Sequence, residues 1–114
     1  MESNQRAYDT LLDLARNQST ARHYEVAYHI LMAALHCAED AADAARLREV
    51  ARLFRQDRKA IDAIEPPHRL STQSAHTRQS IFEAGAINAE AEIKRLESEH
   101  LLADLRSRMG RVNG

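Results

Sequence analysis

Residues 23–40, which read HYEVAYHILMAALHCAED, decide the fold class of this chain. Apolar residues recur there at helical spacing, and they are Tyr24, Ala27, Leu31, Ala34 and Leu35. Small residues stand where a neighbouring helix must come close, and larger ones stand where a gap must be filled. The polar residues share one narrow stripe made up of Glu25, His29, His36, Glu39 and Asp40. A helix with so narrow a polar face has neighbours on most sides, so we predict a central packing helix.

Further helices are predicted on both sides of this stretch. Helix 1 spans about residues 4–17, and Ser19 or Thr20 then caps helix 2, which runs over about residues 21–40. Helix 3 covers about residues 43–64 and ends before two prolines. Helix 4 begins near residue 71 and continues to about residue 108. We therefore predict one all-α domain over residues 1–114, a hairpin or bundle of about four helices with a long C-terminal helix.

Composition agrees with close helix packing and limits the functional classes. The chain has 114 residues, with 3 Gly and 2 Pro, so helices are hardly interrupted. Its net charge of −1 predicts neither a nucleic-acid partner nor a membrane partner. The one cysteine, Cys37, has no internal disulfide partner, and the sequence shows no secretory signal and no membrane span. These features predict a cytoplasmic protein, and the preference for Arg over Lys is typical of a GC-rich bacterial genome.

Helix 4 carries two apolar patterns. The first follows a heptad spacing through Phe82, Ala86, Ala89, Ile93, Leu96, His100 and Ala103. The second is a patch made up of Leu101, Leu102, Leu105 and Met109. At about 55 Å, an unbroken helix 4 would be far longer than helix 2 at about 30 Å. Either the helix breaks, with Gly85 as the expected point, or its far half packs on another subunit. We predict a homodimer assembled through Phe82, Ile93, Leu96, Leu101 and Leu105.

The first half of the chain resembles a tetratricopeptide repeat. Helix 1 offers Leu11, Leu14 and Ala15, and helix 2 offers an aromatic residue, two alanines and large apolar residues at the matching places. In helix 3, Leu47, Val50, Ala51 and Phe54 match the first helix of a following repeat. The resemblance covers about residues 8–58 and implies a three-helix unit over residues 8–64, followed by the long helix of residues 71–108. No Gly stands at the tight turn, Pro67 interrupts the second repeat, and an ordinary helical bundle remains the alternative.

A stripe of basic residues is the candidate partner-binding surface. It consists of Arg16, Arg48, Arg52, Arg55 and Lys59. The repeat resemblance implies that its arginines line a concave groove. Guanidinium groups bind carboxylates and phosphates with paired hydrogen bonds, so the expected ligand is an acidic peptide, a chain terminus or a phosphate. The alternative is intramolecular, because helix 4 carries enough glutamates to pair with the stripe. Nucleic acid is a weaker alternative, because no aromatic residues interleave these basic residues.

A metal-binding helical bundle, and with it an oxidoreductase, is the alternative interpretation of the histidines. Glu97 and His100 have an E-x-x-H spacing, which puts both side chains on one helix face, as in di-iron helical bundles. The second such motif, at Glu65 and His68, contains two prolines and cannot form a helix. The sequence also has no phosphate-binding loop and no nucleophile motif. We therefore predict a protein–protein interaction module, an adaptor or regulator without cofactor or catalytic residues.

Overall fold

The computed structural model describes residues 2–75 and 79–113, and it describes side chains for 3–75 and 79–110. Its elements are α1 (Glu2–Thr20), α2 (Tyr24–Asp40), α3 (Ala44–Asp62), a short 3-10 turn (Thr72–Ser74) and α4 (Ile81–Asn113). Within these ranges the chain contains no β-strand. The predicted all-α fold of about four helices with a long C-terminal helix is confirmed.

Two turns of the same design connect the first three helices. Each turn contains a residue with positive φ, Arg22 at 64° and Ala42 at 51°. At the first turn the N–H of His23 donates to the carbonyl of Gln18, and the second turn repeats this bond between Asp43 and Ala38. This is the helix-ending arrangement in which glycine is the usual residue. The N-cap predicted at Ser19 or Thr20 is wrong, because α1 continues to Thr20 and His23 precedes α2.

The helices form two antiparallel hairpins in sequence, α1 with α2 and α3 with α4. Asn4, near the start of α1, donates to the carbonyl of Cys37, near the end of α2. Arg55, in the second half of α3, pairs with Glu83 at the start of α4. Arg48, nearer the start of α3, pairs with Glu97 farther along α4. Both hairpins therefore run up and down.

The two hairpins stack side by side in the same sense. The hydroxyl of Tyr8 in α1 donates to Glu49 in the first part of α3, with an O–O distance of 2.6 Å. Farther along both helices, Ser19 donates to Asp57 at 2.8 Å. These contacts show that α1 and α3 run parallel. α2 and α4 also meet near their first residues. There the rings of Tyr28 in α2 and Phe82 in α4 pack edge-to-face with 5.6 Å between centroids.

The core lies between the two hairpins. Phe54, Phe82, Leu31, Leu35 and Leu47 are its largest fully buried side chains. The apolar residues that single out residues 23–40 in the sequence are all buried, and the polar stripe of that helix is exposed or half-buried. Periodicity in the sequence therefore identified the buried face of α2.

The segment between α3 and α4 is not helical where the sequence predicted helix. That prediction placed the start of helix 4 near Ser71, but α4 begins at Ile81, and residues 76–78 lie outside the described residues. Ser71 instead caps a single 3-10 turn, accepting from the backbone N–H of Ser74. Asp62 then holds the segment in place by accepting from both the N–H and the hydroxyl of Thr72. These local bonds compete with helix formation.

α4 is continuous through Gly85, so the break considered from the sequence does not occur. It also runs beyond the predicted end at Arg108, as far as Asn113. Its 33 residues correspond to about 50 Å, while the 19 residues of α3 correspond to about 28 Å. The helix therefore projects past its neighbours, and the longest extent of the molecule is 66 Å.

Candidate interaction surfaces

The projecting part of α4, residues 97–110, is here called the overhang. Every side chain in it is exposed except Asp104, which is half-buried. Four of these side chains are large and apolar: Leu101 is 59% exposed, Leu102 51%, Leu105 43% and Met109 63%. Isolated apolar residues are ordinary on a protein surface, but four on consecutive turns of one helix form a stripe that water solvates poorly.

Most of this stripe points away from the core of its own chain, while Leu101 borders an open cleft beside Ala42 and Ala44. Nine residues along an α-helix correspond to about two and a half turns, so residues nine apart lie on opposite faces. Leu102 is therefore opposite Ile93, which is buried against the core, and Leu105 is opposite Leu96, which packs at the edge of the core. α4 thus has two apolar faces, and the described residues of the chain cover only one of them.

The residues predicted to assemble a dimer divide between these two faces. Phe82 and Ile93 are 0% and 8% exposed and belong to the core of the single chain. Leu96 is half-buried beside that core. A second chain cannot use Phe82 or Ile93 as docking residues while the core stays intact. Leu101 and Leu105 alone from the predicted set stand free on the overhang.

Much of the predicted basic stripe is engaged in ion pairs within the chain. Arg55 has the strongest set, because its Nε donates to Glu83 at 3.0 Å and its two terminal nitrogens donate to Glu90 at 2.7 and 2.9 Å. The hydrogen bonds from Arg55 hold the pKa of Glu90 below its ordinary value. Arg48 pairs with Glu97 at 3.3 Å, although both side chains are about 60% exposed. The intramolecular alternative is therefore the arrangement found for Arg48 and Arg55.

The remaining members of the stripe are more available. Arg16 contacts Glu49 at 3.4 Å across the α1–α3 interface, with about half of its side chain exposed. Arg52 and Lys59 are exposed, and within the described part of the chain neither makes an ion pair or a side-chain hydrogen bond.

A groove of about 470 Å³ runs between α1 and α3. Arg16 and Arg52 line it from opposite helices, together with Ser19, Tyr24, Leu53 and Asp57. Arg48, Arg55 and Lys59 do not line it. The groove therefore contains two of the five basic residues predicted to bind a partner.

Asp57 is the feature of this groove that the sequence analysis missed. It is only 7% exposed, and the hydroxyl of Ser19 donates to its Oδ2 at 2.8 Å. Burial raises the pKa of Asp57, and the hydrogen bond from Ser19 opposes that shift. The available signal was an acidic residue on the groove-facing side of helix 3, between Leu53 and Ile61.

The metal-site alternative gains no support from the geometry. Glu97 pairs with Arg48, and His100 is exposed on the overhang. Among the described residues, nowhere do three His, Cys, Asp or Glu side chains come together in a way that could hold a metal ion. Within the same part of the chain, no helix is both long enough and apolar enough to cross a bilayer.

Comparison of the chain with protein-family models, with curated proteins and with solved structures found no match. The features of the molecule that bear on its function are the overhang, the α1–α3 groove and the chemistry of their side chains.

Proposed function

We propose that this protein is a small interaction module that forms a homodimer through the overhang of α4 and binds an acidic peptide in the α1–α3 groove. The observation that carries the proposal is the apolar stripe of Leu101, Leu102, Leu105 and Met109, which the described residues leave uncovered. Burying a fully exposed leucine or methionine contributes roughly 1.5–3 kcal/mol. Burying four half-exposed side chains on each of two chains is therefore a substantial driving force.

The tetratricopeptide-like architecture is part of the same proposal. α1 and α3 run parallel on one side, and the two hairpins follow each other as tandem repeats would. In such stacks the first helices of successive hairpins line a shared surface, and here that surface is the α1–α3 groove. The departure is the connection of 18 residues between the last residue of α3 and the first of α4, positions 63–80.

The chemistry of the groove favours a peptide over a free inorganic anion. Arg16 and Arg52 offer guanidinium groups that pair with carboxylates. Asp57, which is buried in the wall of the groove, is a hydrogen-bond acceptor and favours an approaching group that carries a donor. A peptide with acidic side chains supplies both on separate groups, because its backbone N–H donors stand apart from its carboxylates, whereas inorganic phosphate would have to bring its charge and its hydroxyl donor on a single tetrahedral group.

Self-association is tested with the full chain by size-exclusion chromatography with light scattering. The double variant Leu101→Asp/Leu105→Asp places two charges on the stripe and is expected to give a monomer. Val26→Asp is the matched control, because Val26 is 49% exposed on α2, away from the overhang. Assembly through the overhang is refuted if the wild type is monomeric, or if the double variant stays as dimeric as the control.

Peptide binding is tested separately by fluorescence anisotropy with a labelled oligoglutamate peptide. Arg52→Glu is expected to weaken binding about tenfold or more, since it replaces an attractive partner by a repulsive one. Arg6→Glu makes the same charge change at another exposed position of α1 and is expected to leave binding nearly unchanged. Equal losses in both variants would mean that only net charge matters.

A further inference from the structure

The overhang has two glutamates near one end and two arginines near the other, with Asp104 between them. Glu97 and Glu99 lie where it leaves the bundle, and Arg106 and Arg108 lie toward its tip. All four side chains are exposed and flank the apolar stripe. The charge pattern along the stripe is therefore directional, and it distinguishes between the two ways in which a second helix can lie on it.

We infer that the partner on the stripe is a second copy of the chain, packed antiparallel about a two-fold axis near residue 103. This inference rests on the proposed self-association and specifies its geometry. In this register Leu101 of one copy meets Leu105 of the other, and the symmetry repeats the contact. Glu97 then faces the partner's Arg108, and Glu99 faces the partner's Arg106. One alignment thus satisfies the apolar contacts and the charges of these four residues, and only the two copies of Asp104 near the axis are left with like charge.

A parallel pairing of the same faces does not satisfy the charges. It places Glu97 and Glu99 beside their own copies and Arg106 and Arg108 beside theirs, so every flanking contact is repulsive. The contacts that these residues make inside one chain do not prevent the antiparallel pairing. Glu97 with Arg48, and Arg108 with Asp104, are ion pairs between largely exposed side chains, which rearrange at little cost.

Charge reversal tests the orientation. Glu97→Arg/Glu99→Arg and Arg106→Glu/Arg108→Glu are each expected to raise the dimer dissociation constant at low salt, on the order of tenfold. The chain carrying all four changes is expected to recover most of the lost affinity, because the four flanking contacts between the copies are then attractive again. Asp9→Arg/Asp13→Arg on α1 is the control for the change in net charge. In a parallel dimer, changing the glutamates to arginines would replace repulsion between acidic residues by repulsion between basic residues, and the dissociation constant would hardly change. Equal affinities for all variants would therefore overturn the inference.

Disulfide cross-linking gives an independent test in a Cys37→Ser background. The register places Ser98 opposite the partner's Arg108 and Met109, while the two copies of position 109 lie about 18 Å apart along the axis. Ser98→Cys mixed with Met109→Cys is therefore expected to cross-link on oxidation, and neither variant is expected to cross-link with itself. Self-cross-linking of each variant would indicate a parallel dimer and overturn the inference while leaving self-association intact. A monomeric wild type without any cross-link would overturn the proposed function as well.

Discussion

Gly85 of α4 lies directly against the aromatic ring of Phe54 of α3. A Cβ atom added at position 85 would stand 2.7 Å from both Cε1 and Cζ of that ring, which is fully buried. The close approach of the two helices therefore depends on the missing side chain. Gly85 is a packing residue inside a continuous helix and not a point where the helix breaks.

Gly85→Ala is expected to destabilise the fold, because overpacking against the fully buried Phe54 ring costs about 2–3 kcal/mol. This loss would outweigh the gain in helix propensity of about 1 kcal/mol. Gly110→Ala is the control, since nothing lies within 4 Å of a Cβ there, and it is expected to be neutral or slightly stabilising. Urea denaturation measures both variants. Equal midpoints for the two would show that the contact with Phe54 is not tight.

The ion pairs of Arg55 are expected to contribute more than the neighbouring exposed pair. A double-mutant cycle of Arg55→Ala and Glu90→Ala is expected to give a coupling energy of about 1 kcal/mol, because the contact is bidentate and only partly exposed. The same cycle for Arg48 and Glu97 is expected to give about zero. Because the pKa of Glu90 is lowered in the fold, its coupling should be present at neutral pH and lost as the pH falls through that lowered value. A coupling that persisted in acid would contradict this assignment.

The turn residues with positive φ offer a stabilising substitution. Ala42→Gly is expected to raise stability by about 0.5–1 kcal/mol, because alanine in the left-handed region costs about 1–2 kcal/mol relative to glycine, and glycine loses more entropy on folding. Ala41→Gly is the matched control. Ala41 has φ of −81°, which alanine adopts readily, so this change is expected to destabilise. Thermal unfolding measures the stability of both variants. If Ala42→Gly and Ala41→Gly changed the stability in the same direction, the backbone strain at Ala42 would be refuted.

Asp57 is expected to make stability fall as the pH rises. Because the pKa of Asp57 is raised in the fold, the folded chain holds this proton more tightly than the unfolded chain does. Stability should therefore decrease from the ordinary aspartate pKa of 3.8 up to the raised value, and then level off. Asp57→Asn should be more stable than the wild type at neutral pH and lose that advantage near pH 3.8 and below. Asp9→Asn, at an exposed position of α1, serves as the control in the same denaturation series.

Sequence periodicity predicted the helical fold and the buried face of α2. A buried helix face needs apolar residues at helical spacing, whichever neighbouring helix covers it. Periodicity did not predict the left-handed residues Arg22 and Ala42, because the glycine that usually marks such a helix end is absent from both turns. Ser71, near which helix 4 was predicted to begin, does carry a capping signal. That signal is real but local, because it caps only one 3-10 turn.

The candidate surfaces were partly predictable from residue spacing along the helices. The basic stripe followed from residue spacing, but only the fold reveals that Arg48 and Arg55 pair with glutamates of α4. Arg52 lines both the α1–α3 groove and a cleft between α3 and α4. Likewise, Phe82 and Leu105 are both apolar residues of one helix. The chain buries Phe82 and leaves Leu105 exposed. The sequence does not reveal this difference, because it depends on which part of α4 lies alongside α3.

The uncovered overhang leads to the most direct test of the account. A single helix segment without packing partners is only marginally stable in water, so its amide hydrogens should exchange quickly unless another chain covers it. Hydrogen–deuterium exchange of the wild-type protein, measured at several protein concentrations, should show residues 97–110 protected at high concentration and progressively exposed on dilution. Rapid exchange of these residues at every concentration, with the bundle protected throughout, would contradict the proposal that the overhang is where two copies meet.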